Sequence, residues 1–347
     1  MADSPGLDTG SPSGSPGSTN EEIGGRAAAR DERRVETVAV VVVTHNRADL
    51  LARMLDGLGA QTYRPAVVIV VDNASGDHTQ EVLADRSIGV DLPLTVIRSD
   101  ENVGGAGGFR IGMQTAYDGG WDRIWLMDDD VVPAPDCLAV LMAVDAELSD
   151  CLMCVREDLE GHLVEKSATQ FDLRNPLAIR PKTASVETTY GTRDAMPPLV
   201  EIQVVAFEGF LVRRRVVDAI GLPDQAFFIF YDDADFALRA RRAGFRIWAV
   251  RDAVLVRQLA FSQQHALDTW KGYYMYRNLF VVHFRHGENA LVRAKPYAIT
   301  AAVVALSPVR GGRAEARNVI RAIKGARSMR NAGGGGRAES GRAPSRR

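Results

Sequence analysis

Apolar residues in this chain fall into short unbroken runs, separated by stretches in which they recur at helical spacing. Val38-Ala39-Val40-Val41-Val42-Val43 is continuous and mostly β-branched. Such a run predicts a strand buried on both faces of a parallel sheet. Residues 49–61 follow with Leu50, Leu51, Met54, Leu55 and Leu58 on one helical face. Strands are then predicted at 67–71, 94–97 and 123–127, with helices between them at 79–85 and 109–117. Strands alternating with helices at this spacing mean a doubly wound α/β domain. Further on, the pattern predicts a helix over 136–148 and an excursion rich in turn formers over 158–200. Apolar order returns at 204–212. A helix over 232–243 is stopped by Gly244, a strand spans 247–256, and an aromatic-rich helix spans 267–284. No internal repeat is present.

The ends break this pattern. Residues 1–34 are rich in Gly, Ser, Pro and charge, without the apolar stretch of a signal peptide, and are expected to be disordered. Near the other end, 298–306 is apolar but about half the roughly 20 residues a membrane-spanning helix needs. The net charge is only −2, yet 309–347 holds 11 Lys/Arg and 2 Asp/Glu, so a +9 tail follows a −11 body. A basic tail on an acidic body suggests an anionic partner for the tail. Arg313, Arg317, Arg321 and Lys324 share one helical face, with Val319, Ile320 and Ile323 largely apart from them. That is the pattern of a helix lying in an anionic membrane surface, or of one packed on the body with a basic outer side. The expected domains are a disordered segment 1–34, an α/β domain 35–286 (halves about 35–135 and 136–286), a helical extension 287–330 and a disordered basic tail 331–347.

The three cysteines, Cys137, Cys151 and Cys154, fit core thiols in a reducing compartment. Cys151 and Cys154 form a C-x-x-C without the second ligand pair that a zinc site needs.

Polar residues gather where strands end, which is where open α/β sheets bind ligands. Strand one ends in Thr44-His45-Asn46-Arg47, strand two in Asp72-Asn73-Ala74-Ser75, strand three in Arg98-Ser99-Asp100-Glu101-Asn102 and strand four in Asp128-Asp129-Asp130. Three adjacent carboxylates repel, and a divalent cation with oxygen ligands, Mg²⁺ or Mn²⁺, resolves the conflict. The competing reading is a helix cap, which needs one acid rather than three. Asn102-Val103-Gly104-Gly105-Ala106-Gly107-Gly108 reads as a glycine-rich loop opening a helix, suited to a phosphate or to a plain turn. It matches neither the dinucleotide-binding fingerprint nor a P-loop. Tyr231-Asp232-Asp233-Ala234-Asp235 opens a helix after the apolar 227–230. Asp235 and Arg239 pair at i, i+4, which leaves Asp232 and Asp233 for capping or for base chemistry.

Together these motifs resemble the family 2 glycosyltransferases, whose Rossmann-like fold, a mostly parallel sheet flanked by helices, is called GT-A. The resemblance runs from about Val38 to His286. The glycine stretch, the triple Asp and the 227–242 run look most like galactofuranosyltransferases of actinobacterial cell-wall synthesis, and rhamnosyltransferases using dTDP-rhamnose share much of the pattern. The resemblance implies an inverting, metal-dependent transfer from a nucleotide-sugar donor, such as UDP-galactofuranose, to a glycan or polyprenyl-diphosphate-linked acceptor. Thr44, Arg47 and Asp72 would hold the uracil or ribose. Asn102, Gly104 and Gly105 would lie near ribose and diphosphate, with Asp129 beside them. Asp128 would touch nucleotide and metal, Asp130 would bind the metal, Asp233 would be the general base and Asp232 its orienting neighbour. Nucleic acid is not an expected partner. The expected location is cytoplasmic, peripheral on the inner face of the plasma membrane.

One departure stands out. Family members often carry a metal-binding His where this chain has Arg257, which could instead neutralise the departing diphosphate. His265 is an alternative ligand. Arg257 also motivates a second reading, a catalytically impaired nucleotide-sugar-binding scaffold. A nucleotidyltransferase would need a basic glycine-rich signature near strand one, which 44–47 does not supply. Tyr273, Tyr274 and Tyr276 would line an acceptor channel or, more simply, pack in the core.

Overall fold

The computed structural model describes residues 35–89, 92–178, 180–259, 267, 269–307 and 312–330. The expected disordered segments at 1–34 and 331–347, and His265, lie outside the described residues.

The β-branched runs form the centre of the sheet, as their lack of alternation requires. β1 (Val38–Thr44), β2 (Val67–Asp72) and β4 (Arg123–Asp128) are buried on both faces. β3 (Leu94–Arg98) forms the edge beside β2 and is more open. Among the described residues the main sheet has nine strands. Its order is β3-β2-β1-β4, continuing through β10 (Phe210–Arg213), β6 (Cys151–Glu157), β11 (Ile247–Arg257) and β5 (Val131–Pro133), with β9 (Leu199–Ile202) also on β11. β1 to β4 are parallel, while β10 runs antiparallel to both neighbours. Alternate residues of β1 enter different cores. Ala39, Val41 and Val43 join Phe109, Met113 and Ala116 of α3 (Gly104–Asp118). Val38, Val40 and Val42 join Leu51, Met54 and Leu58 of α1 (Ala48–Gly59), with Cys137 and Leu138 of α4 (Cys137–Met142). α2 (Thr79–Gly89) packs beside α1. All three cysteines are buried free thiols.

Three expectations need correction. The helix over 136–148 is only α4, because the chain turns where Asp145 Oδ1 accepts from Glu147 N at 3.1 Å. The 158–200 excursion is structured. It holds the hairpin β7 (Ala168–Phe171) and β8 (Lys182–Ser185) and then α5 (Val186–Tyr190), opened by a Ser185–Thr188 capping box. Elements this short leave little periodicity to detect. Lastly, Gly104–Gly108 is not a loop but the first turn of α3. A Cβ on Gly108 would stand 2.5 Å from Val43 Cγ1, and one on Gly112 2.2 Å from Val41 Cγ1. These two glycines let α3 lie directly on β1.

After α6 (Arg214–Ile220) and α7 (Asp232–Arg242), the described residues close with the helices α8 (Trp270–His286), α9 (Ala290–Leu306) and α10 (Gly312–Met329). α10 packs on α8, placing Val319, Ala322 and Ala326 in one core with Phe227, Ala234 and Phe280. Tyr276 Oη donates to buried Glu315 at 2.6 Å. Of the apolar side of the expected surface helix, Val319 is therefore inside the protein and Ile323 partly so, while Ile320 is 40% exposed and Arg313, Arg317, Arg321 and Lys324 face outward. Among the described residues no helix is long and apolar enough to cross a membrane.

Candidate active site

The ends of β1, β2 and β4 are tied together before any ligand is considered. Asn46 and Ala74 adopt left-handed backbone, at φ 55° and 58°. Asn46 N donates to Ser75 Oγ at 2.9 Å, and Gly76 N to Asn46 Oδ1 at 2.7 Å. Asp72 is fully buried; its carboxylate accepts from Ser75 N and Arg98 Nη1 at 2.9 and 2.8 Å, and from Gln80. Asn73 Nδ2 donates to Asn102 Oδ1 at 3.1 Å and to Gly104 O at 3.0 Å. Asn102, exposed, joins this net, while a Cβ on Gly105 would meet open space.

The three aspartates after β4 diverge. Asp129 turns inward, where Thr44 Oγ1 and Arg47 Nη1 each donate to it at 2.8 Å. Thr44 and Asp129 are both buried, and Arg47 is half exposed at the mouth. Asp130 Oδ2 lies 3.3 Å from Arg47 Nη1 and 3.6 Å from Arg257 Nη2, whereas its Oδ1 is buried without a hydrogen-bond partner. Asp128 is pushed well above the ordinary carboxylate range by burial and by the charges of Asp129, Asp130 and Glu208. Asp130 is raised by burial and by Glu208, against the pull of Arg257. A buried partnerless carboxylate oxygen beside a second carboxylate reluctant to ionise suits a hard cation with oxygen ligands. Asp128 and Asp130 are the residues that fit it.

Glu208 was not singled out from the sequence, and it links the two acidic groups. It accepts from Arg257 Nη1 at 3.2 Å and from Arg156, which also forks onto Glu165 with two contacts of 2.9 Å. Burial alone would raise Glu208, but Arg156 and Arg257 hold it below its ordinary value. It is thus a fixed negative charge, and it raises Asp128, Asp130 and Asp233 alike. The sequence signal was a single acid inside the apolar stretch 204–212.

Asp233 sits in the first turn of α7, with its Oδ1 accepting from Ala234 N at 2.6 Å. Burial lifts its pKa to about 6; the Ala234 amide opposes the shift, Glu208 adds to it, and Lys182 and Arg156 oppose it in turn. Asp232 is buried and is raised further by burial and by Asp233. Lys182 on β8 faces this group, its own pKa lowered by burial despite Asp233. Asp235 points elsewhere, to Arg239 Nε at 2.8 Å, as its i, i+4 spacing predicted.

The approach to Asp233 is strained. Phe228, Phe230 and Tyr231 all have left-handed backbone, at φ 63°, 68° and 67°. Each such residue costs on the order of 1–3 kcal/mol and needs surrounding restraint. Asn278 on α8 supplies it: its Nδ2 donates to the carbonyls of Phe227, Ile229 and Phe230 at 2.9, 2.7 and 2.9 Å. From the other side Ala106 N donates to Phe228 O at 3.1 Å. Gly104, at φ 75°, permits that approach, since a Cβ there would stand 2.1 Å from Phe228 O. Phe228 stacks on Tyr274 with ring centroids 5.0 Å apart, and Trp270 closes an aromatic wall. Tyr276 packs in the core instead.

The chain's relatives give its family and its fold. The profile of glycosyl transferase family 2 matches residues 39–221. A Mycobacterium tuberculosis protein named galactofuranosyltransferase GlfT1 is 33% identical over 258 residues, 70% of this chain and 81% of its own length. Its Mycolicibacterium smegmatis namesake is 34% identical over 218 residues, 60% and 67% of the two chains. Among solved structures, a Pyrobaculum calidifontis mannosyltransferase in complex with GDP-Man and Mn²⁺ superposes with a TM-score of 0.52 at 19% identity, covering 85% of this chain and 88% of that one. The 1–349 piece of S. aureus TarS in complex with UDP-GlcNAc gives 0.52 at 16% identity, covering 83% and 79%. Both show the same fold.

Proposed function

Since the chain belongs to glycosyl transferase family 2 and is a glycosyltransferase of the GT-A fold, we propose that it transfers galactofuranose from UDP-galactofuranose, with inversion, to a polyprenyl-diphosphate-linked glycan of the cell envelope. The observation that carries the mechanism is Asp233, a carboxylate with a pKa near 6 at the end of a strained, braced loop. In the proposed step the acceptor hydroxyl attacks the anomeric carbon and gives its proton to the Asp233 carboxylate. The bond from that carbon to the diphosphate oxygen breaks, and UDP leaves with the electron pair. A single displacement inverts the anomeric centre. Glu208 adds to the burial that keeps the proton affinity of Asp233 high, and Asp232, itself raised by burial and by the charge of Asp233, is its orienting neighbour.

A divalent cation held by Asp128 and Asp130 would stabilise the negative charge on the leaving diphosphate. Arg47 and Arg257 contribute fixed positive charge at the same mouth. Arg257, braced on Glu208, would add its charge to the same oxyanion. Thr44, Asp72 and Asp129 act by holding the strand ends and Arg47 in place, and Gly105 leaves room for the nucleotide. The acceptor implies work at a membrane surface, on the cytoplasmic face.

The test is transfer by the purified full chain from UDP-galactofuranose to a synthetic polyprenyl-diphosphate disaccharide, read by mass spectrometry with and without EDTA. Transfer that stops in EDTA and returns with Mn²⁺ is expected. Full transfer in excess EDTA would overturn the metal part and leave Arg47 and Arg257 as the neutralising groups. Neither transfer nor a melting shift with any uridine-diphosphate sugar would overturn the donor assignment.

A further inference from the structure

Away from the acidic cleft, a cavity of about 750 Å³ has five arginines, Arg239, Arg242, Arg285, Arg293 and Arg330, among its lining residues. It is built on the side of α7 carrying Asp235, Arg239 and Arg242. Asp233 leaves that helix roughly 200° around from Asp235, at about 100° per residue, so the catalytic group points away. α8 contributes Arg285 and His286, and α9 contributes Arg293.

The charges in this cavity do not cancel. Asp235 is the one carboxylate among its lining residues; Arg239 Nε and His286 Nε2 reach it at 2.8 Å and Arg285 Nη1 at 3.4 Å. Arg285 Nη2 is paired again with Asp224 Oδ2 at 2.9 Å, which leaves Arg242 and Arg293 without an acid partner among the described residues. Arg242 spends its donors on the carbonyls of Arg285 and His286, at 3.0 and 2.8 Å. Arg293 Nε donates to Gly287 O at 2.9 Å. Carbonyls satisfy these donors without neutralising them, and burial together with the charge of Arg293 depresses the Arg242 pKa. His286 Nδ1 and Arg285 Nε, behind the lining, are buried without a hydrogen-bond partner. The His286 and Arg285 side chains are only 3% and 7% exposed. Guanidinium groups whose charge is not neutralised suit a phosphate.

Tyr297 belongs to the wall of this cavity and also to that of an apolar groove of about 640 Å³ between α9 and α10. The groove is floored by Ala301, Val304, Ala305 and Ile323, with Lys324 and Arg327 at its rim. α9 keeps much of its apolar surface in the open, including Leu291 at 67% and Tyr297 at 48% exposure. A charged chamber adjoining an apolar groove complements an amphiphile rather than a free anion.

We propose that the cavity binds the phosphate headgroup of a membrane lipid, whose hydrocarbon chain lies along the α9–α10 groove. The proposal rests on the membrane-surface location stated above but not on the donor or the reaction. The full-length protein is to be sedimented with phosphatidylcholine vesicles, with and without phosphatidylglycerol, and titrated separately with inorganic phosphate. The double variant R242Q/R293Q should lose binding to anionic vesicles by at least about tenfold. R313Q/R317Q, which removes equal charge from the outer side of α10, should lose less than about threefold, as peripheral charge alone allows. R242K/R293K keeps the charge and should keep binding, which separates loss of the site from loss of the fold. V304D, in the groove, should weaken vesicle binding and leave phosphate binding intact.

Equal losses in the cavity and α10 pairs would overturn the proposal in favour of diffuse electrostatics. Phosphate binding with no effect of V304D on vesicles would overturn the lipid and indicate a free phosphate ligand. Transfer to a soluble acceptor, measured on the same preparations, should persist in all four variants. Its absence from the wild type would count against the enzymatic reading alone.

Discussion

At the level of single residues, the site works by keeping unlike carboxylates in unlike states. Glu208 stays ionised because two arginines hold it, and that fixed charge makes ionisation of Asp233 harder. If Asp233 is the base, it must be deprotonated to act. Turnover should therefore rise as pH passes through about 6 and level off above it. Asp233→Asn should lower kcat by about 10²–10⁴-fold, the usual contribution of a positioned base, with donor binding nearly unchanged. Wild-type turnover in that variant would exclude the role. Stability follows with a definite sign. A carboxyl whose folded pKa is raised stabilises most below its unfolded value and loses that contribution as pH rises toward 6. Asp233→Asn should therefore melt no lower than wild type above pH 6. The triple Asp and Asp233 were legible because adjacent acids behind apolar runs have few structural uses. Glu208, Arg156 and Lys182 were not, since each is a lone charge in its own stretch and acquires meaning only when β6, β8 and β10 bring them together.

Among the elements, the long β-branched strands announced themselves because both their faces are buried, and α1 and α7 because one face is. The hairpin β7–β8 and strands β5 and β9 have three or four residues each, too few for a period to show. The glycine stretch misled for a different reason. Glycines suggest a loop, but in α3 they serve close packing on β1 and passage of the Phe228 carbonyl. Gly112→Ala should accordingly cost about 1–3 kcal/mol by overpacking against Val41, seen as a lowered melting midpoint in denaturant. The brace between α8 and the strained loop makes a sharper case. Asn278→Ala removes two amide N–H donors shared among three buried or half-buried carbonyls, each hydrogen bond worth about 0.5–1.5 kcal/mol net, so a loss of about 1–3 kcal/mol is expected. The loop also carries Asp233, so kcat should fall more than KM rises, in protein still folded at the assay temperature. Asn278→Asp, similar in size but without the donors, should behave no better. An unchanged kcat in either variant would separate the brace from catalysis.

For the molecule as a whole, the C-terminal helices are part of the body rather than an appendage. The charge asymmetry of the chain and the amphipathic pattern of 313–324 were visible in the sequence. The direction in which the apolar side would turn was not, because it depends on what α8 offers. α8 presents Tyr276 and Phe280, and α10 answers with Val319, Ala322 and Ala326 in a core that also contains Phe227 and Ala234. Those last two flank the loop and helix that hold Asp233, so packing at the end of the chain supports the proposed base directly. Val319→Asp places a charge at a position with 0% exposure, in the core shared with Phe227 and Phe280. An unpaired buried charge costs several kcal/mol. The variant should lower the melting temperature and abolish transfer even to a soluble acceptor, which never needs a membrane. A protein ending at Gly287 should fail in the same assay, because removing α9 and α10 uncovers Phe280, Phe284 and Tyr276 together and deprives Arg285 of the Met329 carbonyl it holds at 2.8 Å. If the shortened protein instead stayed soluble and transferred sugar to a soluble acceptor at the full rate, α9 and α10 would be a separable attachment device and the support they give Asp233 would be disproved.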